Sequence, residues 1–213
     1  MNPCNGNKMK SKIFNTQEVQ AILDGRKTQF REVIEDISIV KMIKCETSAP
    51  DDFSKYKTED TVFVKETFCE LYENDKKIIA FKNDDRFDYI DYSVKWKPSV
   101  HLKQEDARIL FKITNVRVEK LQDISDEDCI KSGIYKTLDK SGCFSSYVFT
   151  VIKPIVIDDF IYTDYYCSEF EAYEELWSSK AKEDYKWEDN PYVFVYEFER
   201  VDRWEKLNLK CGI

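Results

Sequence analysis

The chain has 213 residues and 25.4 kDa, of which 42% are hydrophobic, 35% charged and 15% aromatic. That apolar share is enough for a real core and excludes a wholly disordered chain, while no apolar run reaches the ~20 residues of a membrane span. The formal net charge is −8, and the opening MNPCNGNKMK lacks the apolar stretch of a signal peptide, so a soluble, cytoplasmic protein with no membrane partner is expected.

Residues 1–10 read as a tail. Ser11–Phe14 is a short strand, and Asn15 or Thr16 caps a helix running to about Asp24, whose apolar face is Val19, Ile22 and Leu23. Gly25 sits where a glycine ends a helix, and GRKTQFREVI leaves it as an extended segment. Thr61–Thr67 and Ile78–Lys82 are strands by alternation. Arg108–Leu121 is the longest, with a kink expected at Asn115. Ser125 caps a short helix to Ser132, with Asp128 at capping-box reach and Gly133 ending it. Tyr147–Tyr162 is β-rich and broken at Pro154, Glu169–Lys182 is helical, and Tyr192–Val201 closes as a strand. Several strands with three short helices predict an α+β fold around a small, strongly bent sheet or barrel.

The charge is unevenly placed. Asp158–Asn190 holds 11 acids and 3 bases, and the rest of the chain holds 30 of each. The opening carries the reverse sign in Lys8, Lys10, Lys12, Arg26, Lys27 and Arg31, and a local basic patch is enough to hold a nucleic acid. Seven scattered cysteines without a C-x-x-C pair, and one histidine, His101, predict reduced thiols, no metal site and no cofactor.

Four constellations carry candidate chemistry. Arg26, Lys27, Thr28 and Arg31 leave a helix C-terminus with three cations and a hydroxyl, fit to grip phosphate; alternatively Arg26 and Lys27 neutralise the helix dipole. Lys65 and Glu66 stand inside an apolar strand, either lining a groove or on a solvated face. Trp96 and His101 bracket WKPSVH, a set able to stack on and hydrogen-bond a base, or else a structural segment. The acidic–aromatic stretch offers Tyr162, Tyr165, Glu171, Glu175, Asp184 and Trp187 as a protein-binding face; the alternative is a solvated helix and loop.

The motifs also occur in a familiar order. SKIFNTQEVQAILDGRKTQFREVI, TVFVKETF, VKWKPSVHL, RILFKITNVRVEKLQDISDEDCIKSGI and EAYEELWSSK…WEDNPYVFVYEFERV together resemble the ASCH-domain family, especially its longer phage and prophage members. The resemblance runs from about Ser11 to Val201. It implies a single PUA-like domain over residues 11–204, with a variable insertion at about 135–168, a tail at 205–213, and recognition of RNA or a modified nucleotide.

A small bacterial relative of that kind hydrolyses N4-acetylcytidine with a lysine, a threonine three residues later and a glutamate. Lys27 matches the lysine, but the threonine position is Phe30 and the glutamate position falls near Ser132, leaving Glu66 or Glu127 as substitutes. The expectation is therefore a non-catalytic RNA or modified-nucleotide binder, with Arg26, Lys27, Thr28, Arg31, Lys65, Trp96 and His101 contacting the ligand. Two alternatives stand beside it. One is a counter-defence inhibitor that holds a host nucleic-acid-processing protein on the acidic face. The other is an amidohydrolase using Lys27 and Glu66.

Overall fold

A computed structural model describes residues 9–82, 84, 94–138, 147–152, 156–157, 160–161 and 164–201. Mixed α+β structure results. A five-stranded sheet has the hydrogen-bonding order β1-β3-β6-β11-β2, formed by Lys10–Ile13 (β1), Gln29–Val33 (β2), Thr61–Lys65 (β3), Leu110–Lys120 (β6) and Tyr192–Val201 (β11). Among the described residues β2 does not pair with β1, so the sheet is open rather than closed into a barrel.

The chain divides into two compact units, the first from Met1–Gln20, Glu59–Ile113 and Glu199–Ile213, the second from Ala21–Thr58 and Thr114–Phe198. In the first unit β1 runs parallel to β3, and β3 is antiparallel to the start of β6. Phe68–Glu73 (β4) and Lys76–Phe81 (β5) form a hairpin whose turn residues Asn74 and Asp75 have φ of 49° and 63°. Both are residue types that tolerate the left-handed region a two-residue hairpin turn requires. The core of this unit gathers Phe63, Phe68, Phe81, Leu102, Ala107 and Leu110.

Thr16–Leu23 (α1) starts from Asn15, whose Oδ1 accepts from the Glu18 N–H at 2.8 Å while Glu18 accepts from the Asn15 N–H at 3.1 Å. This reciprocal cap settles which of Asn15 and Thr16 starts the helix. Gly25 ends the turn with φ +76°.

In the second unit, β2 pairs antiparallel with β11, Gln29 opposite Glu197 and Arg31 opposite Val195. Helices Ile37–Lys44 (α2) and Pro50–Phe53 (α3) follow β2. The β-branched ISIVKMIK reads poorly as helix, but Asp36 caps it by accepting from the Ser38 N–H at 2.9 Å. Asp126–Lys131 (α4) is capped by Ser125 as expected. Tyr135–Leu138 (β7) and Tyr147–Thr150 (β8) form an antiparallel pair, as do Val156–Ile157 (β9) and Phe160–Ile161 (β10).

Glu169–Ser178 (α5) stops short of the expected Lys182. Its Ala172 and Tyr173 pack with Leu121, Ile124, Cys129, Ile134, Phe149, Trp187, Val193 and Val195. On the even-numbered side of β2 and β11, Phe30 stacks on Tyr196 with ring centroids 4.8 Å apart, and Tyr56 meets both rings edge-on.

At Asn115, where a kink is expected, β6 continues as a strand. Two successive exposed residues, Thr114 and Asn115, shift the buried side chains from Ile109, Phe111 and Ile113 to Val116.

Candidate functional site

The nominated residues fall into two groups, one in each unit. In the second unit Arg26, Lys27 and Thr28 close on the end of α4. Three consecutive carbonyls, from the last residue of α4 onward, are met in turn: Lys131 by the Thr28 N–H at 2.8 Å, Ser132 by Lys27 Nζ at 2.8 Å, and Gly133 by Arg26 Nη1 at 2.6 Å. The last carbonyls of a helix lack partners within it, so this segment caps α4. Arg26 also places its guanidinium carbon over Tyr135, 3.3 Å from the ring centroid.

Gly133 has φ +109°, and a Cβ there would meet Ala21 Cβ at 3.3 Å and Lys27 Cβ at 3.5 Å. The glycine thus permits the close approach of GRKT to α4. Lys27, 4% exposed, is buried in this clasp and does not emerge from a helix end as expected. The cations cap the end of α4, where the dipole alternative had placed them at the end of α1.

Alternation along β2 directs Gln29 and Arg31 to the side opposite Phe30. There Arg31, with a fully buried side chain, donates through Nε and Nη2 to Glu119 Oε1 at 3.1 and 2.9 Å, through Nη1 to Ser132 Oγ at 3.0 Å, and lies 3.4 Å from Asp128 Oδ2. Arg117 joins the same network by ion pairs to Asp128, Glu119 and Glu197. Gln29 donates to Asp128 Oδ1 at 2.9 Å.

Counter-charge explains the burial of Arg31: the two arginines, Arg31 and Arg117, face three carboxylates, Glu119, Asp128 and Glu197. A guanidinium held this way is not presented to phosphate, which corrects the expectation for Arg31. Asp128 fills its capping-box position, yet its carboxylate is committed to this network. Cys129 beside it is buried, and desolvation pushes its thiol up to about 12.

In the first unit Glu66 is 3% exposed rather than solvated or groove-lining. Its two oxygens take Arg108 Nε and Nη2 at 3.0 and 2.8 Å, Asp84 stands 3.5 Å from Arg108 Nη1, and the guanidinium covers Phe81 at 4.5 Å. Burial raises the Glu66 carboxyl above its ordinary range, Arg108 opposes this, and Asp84 adds to it. The two catalytic nominees, Lys27 and Glu66, therefore belong to different units and are both buried.

The Trp96–His101 segment is anchored and exposed. Lys97 bridges Phe68 on β4 through two backbone bonds of 2.7 and 3.3 Å, and Lys65 Nζ donates to the Val100 carbonyl at 2.7 Å. Lys97 itself is ion-paired to Glu70. Between and beyond these ties Trp96 is 36% and Val100 54% exposed, and His101 stands at the surface.

Of the acidic–aromatic face, Tyr165, Glu171, Glu175 and Asp184 are exposed, with Glu171 accepting from the Cys167 N–H at 3.1 Å. Trp187 is a correction: it is core, edge-on to Phe170 and Tyr173 at 5.0 and 6.1 Å. Tyr162 and Pro154 lie outside the described residues.

No protein-family model, curated protein or solved structure matches the chain.

Among the described residues no group of three or more His, Cys, Asp or Glu side chains is placed to hold a metal ion, and no helix is long and apolar enough to cross a membrane. Sequence reasoning missed Arg108, Arg117, Glu119 and Asp128 as partners of its nominees. Their signal was available in the alternation: charged residues at every second place of an apolar strand, as in Arg117 and Glu119, mark one polar face of a sheet.

Proposed function

We propose that the protein binds RNA or a modified nucleotide, without catalysis, through the anchored segment that carries Trp96 and His101. The observation that carries this reading is the indole of Trp96, one-third exposed on a segment tied at both Phe68 and Lys65. An aromatic face held in place loses little entropy when a base stacks on it, and an imidazole can accept from or donate to a base edge. The resemblance to ASCH-domain proteins, and with it a closed, bent PUA-like barrel, belongs to this proposal.

Hydrolysis of an acylated nucleoside has little to support it. The threonine position is Phe30, stacked in the core, and the glutamate position is Ser132, whose Oγ accepts from Arg31.

The test is to recover the tagged chain from a bacterial lysate with and without nuclease. The reading predicts nuclease-sensitive RNA at a defined stoichiometry, lost in Trp96→Ala. A chain that recovers no nucleic acid, and binds no single-stranded oligoribonucleotide when purified, overturns it.

A second reading, an inhibitor that holds a nucleic-acid-processing protein, is favoured by one observation. Arg31 and Lys27 are committed internally, whereas Glu171, Glu175, Asp184 and Tyr165 are exposed. It predicts a protein complex that survives nuclease and is lost when these acids are neutralised.

A further inference from the structure

Tyr192, the first residue of β11, receives two lysines from separate elements of the second unit. Lys44, the last residue of α2, places Nζ 4.7 Å from the ring centroid and donates to the Tyr192 hydroxyl at 2.7 Å. Lys120, the last residue of β6, places Nζ 4.4 Å from the same centroid and donates to the Asn190 carbonyl at 2.9 Å. Asn190 sits in the left-handed region at φ 43°, and its Oδ1 accepts from the Gln122 N–H at 3.0 Å, which fixes the carbonyl that holds Lys120. Among the described residues neither lysine is ion-paired. This sets them apart from the charges of the Arg31 network, where every cation faces a carboxylate.

We infer that Lys44 and Lys120, both drawn to the Tyr192 ring, form a phosphate clamp for the backbone of single-stranded RNA. This inference rests on the RNA-binding reading and adds a site to it. Two ammonium groups drawn to one ring repel each other, and the electron-rich face of the tyrosine offsets only part of that repulsion. An anion between them removes the rest. Each ammonium has three donors and spends one on the protein, so two remain on each for phosphate oxygens.

Both side chains are already held by a hydrogen bond, so little rotamer entropy is lost on binding. Lys41, exposed one turn earlier on α2, adds positive field on the same helix. The position of Lys44 at the end of α2 also suits the helix dipole, but that does not bring Lys120 to the same ring.

The experiment follows a fluorescein-labelled 12-nucleotide single-stranded RNA by anisotropy across a salt series. It compares the full-length wild type with Lys44→Ala/Lys120→Ala and Lys44→Arg/Lys120→Arg, each checked for a cooperative melt. Removing two phosphate contacts is expected to reduce the magnitude of the negative slope of log affinity against log salt by about 1.4, at ~0.7 per contact for a single strand. It should also weaken binding about tenfold or more at low salt, while the arginine pair keeps the wild-type slope.

If the alanine pair binds with the wild-type slope, the clamp is wrong and the RNA-binding reading stands. If the wild type itself does not bind, that reading fails and the clamp with it. Should the alanine pair not fold, Lys44→Ala alone, at the exposed lysine, should reduce the magnitude of the slope by about 0.7.

Discussion

Lys27 Nζ donates to the carbonyl of Ser132 at 2.8 Å, joining the basic GRKT segment to the end of α4 across 105 residues of chain. A residue that reads from sequence as a phosphate contact is thus a helix cap. Arg26 and the Thr28 N–H take the neighbouring carbonyls, so the clasp is a unit rather than an isolated bond. This basic stretch of the sequence is therefore spent on holding the second unit together.

The clasp depends on Gly133. Its φ of +109° is strained for any other residue, and a Cβ would press on Ala21 and Lys27. Gly133→Ala is expected to destabilise the protein by about 1–3 kcal/mol, measured by urea denaturation. Gly25→Ala, which has a positive φ but nothing within 4 Å of the added Cβ, should cost less. Equal costs would contradict the close-approach argument.

Arg31 is the buried hub of the charged network, and removing it leaves Glu119 and Asp128 short of a partner. Arg31→Ala should cost about 3–5 kcal/mol, while Arg31→Met, which refills the space, should cost less than Arg31→Ala. A double-mutant cycle with Glu119→Gln should show coupling, because the two share two hydrogen bonds. Additive effects would place the energy of Arg31 in packing alone.

Glu66 gives the pH prediction. Its carboxyl is raised on folding, so the folded state holds the proton over an interval in which the unfolded chain releases it. The stability it contributes is complete below the ordinary carboxylate value and declines as pH rises through the raised one. Glu66→Gln does not titrate, so the stability of the wild type minus that of this variant should fall as pH rises above about 4, the carboxylate value of the unfolded chain. A rise of that signed difference with pH has the wrong sign for the account.

The thiols separate by environment. Cys129 is buried with its thiol pushed up to about 12, and Cys69 is buried and also raised. Cys45 and Cys167 are exposed. Of these four, Cys45 and Cys167 should react with an aromatic disulfide reagent in the native protein, and Cys69 and Cys129 only on unfolding, as peptide mapping would show.

Local signals gave most of the elements. The caps at Asn15 and Ser125, the glycines at Gly25 and Gly133, and the alternation of Thr61–Lys65 and Tyr192–Val201 are written in a few neighbouring residues. Helix α2 was illegible because its Ile and Val content favours a strand, and only its cap and packing decide otherwise. The burial of Lys27, Arg31 and Glu66 was illegible for a different reason. Their partners Ser132, Glu119 and Arg108 lie 42 to 105 residues away, and a charge reads as exposed until its counter-charge is located. Trp187 was misread because an aromatic off the helical stripe of α5 still packs onto it from the following loop.

The most direct test of the RNA-binding account is the affinity of the purified chain for a labelled single-stranded oligoribonucleotide, with Trp96→Ala and His101→Ala compared to wild type at fixed salt. Loss of one stacked base at Trp96 is expected to cost about 1–3 kcal/mol, or roughly 5- to 150-fold in affinity, with an unchanged melt. The account also predicts quenching of Trp96 fluorescence on binding. Wild-type affinity in Trp96→Ala, or no RNA binding by any of the three, contradicts it.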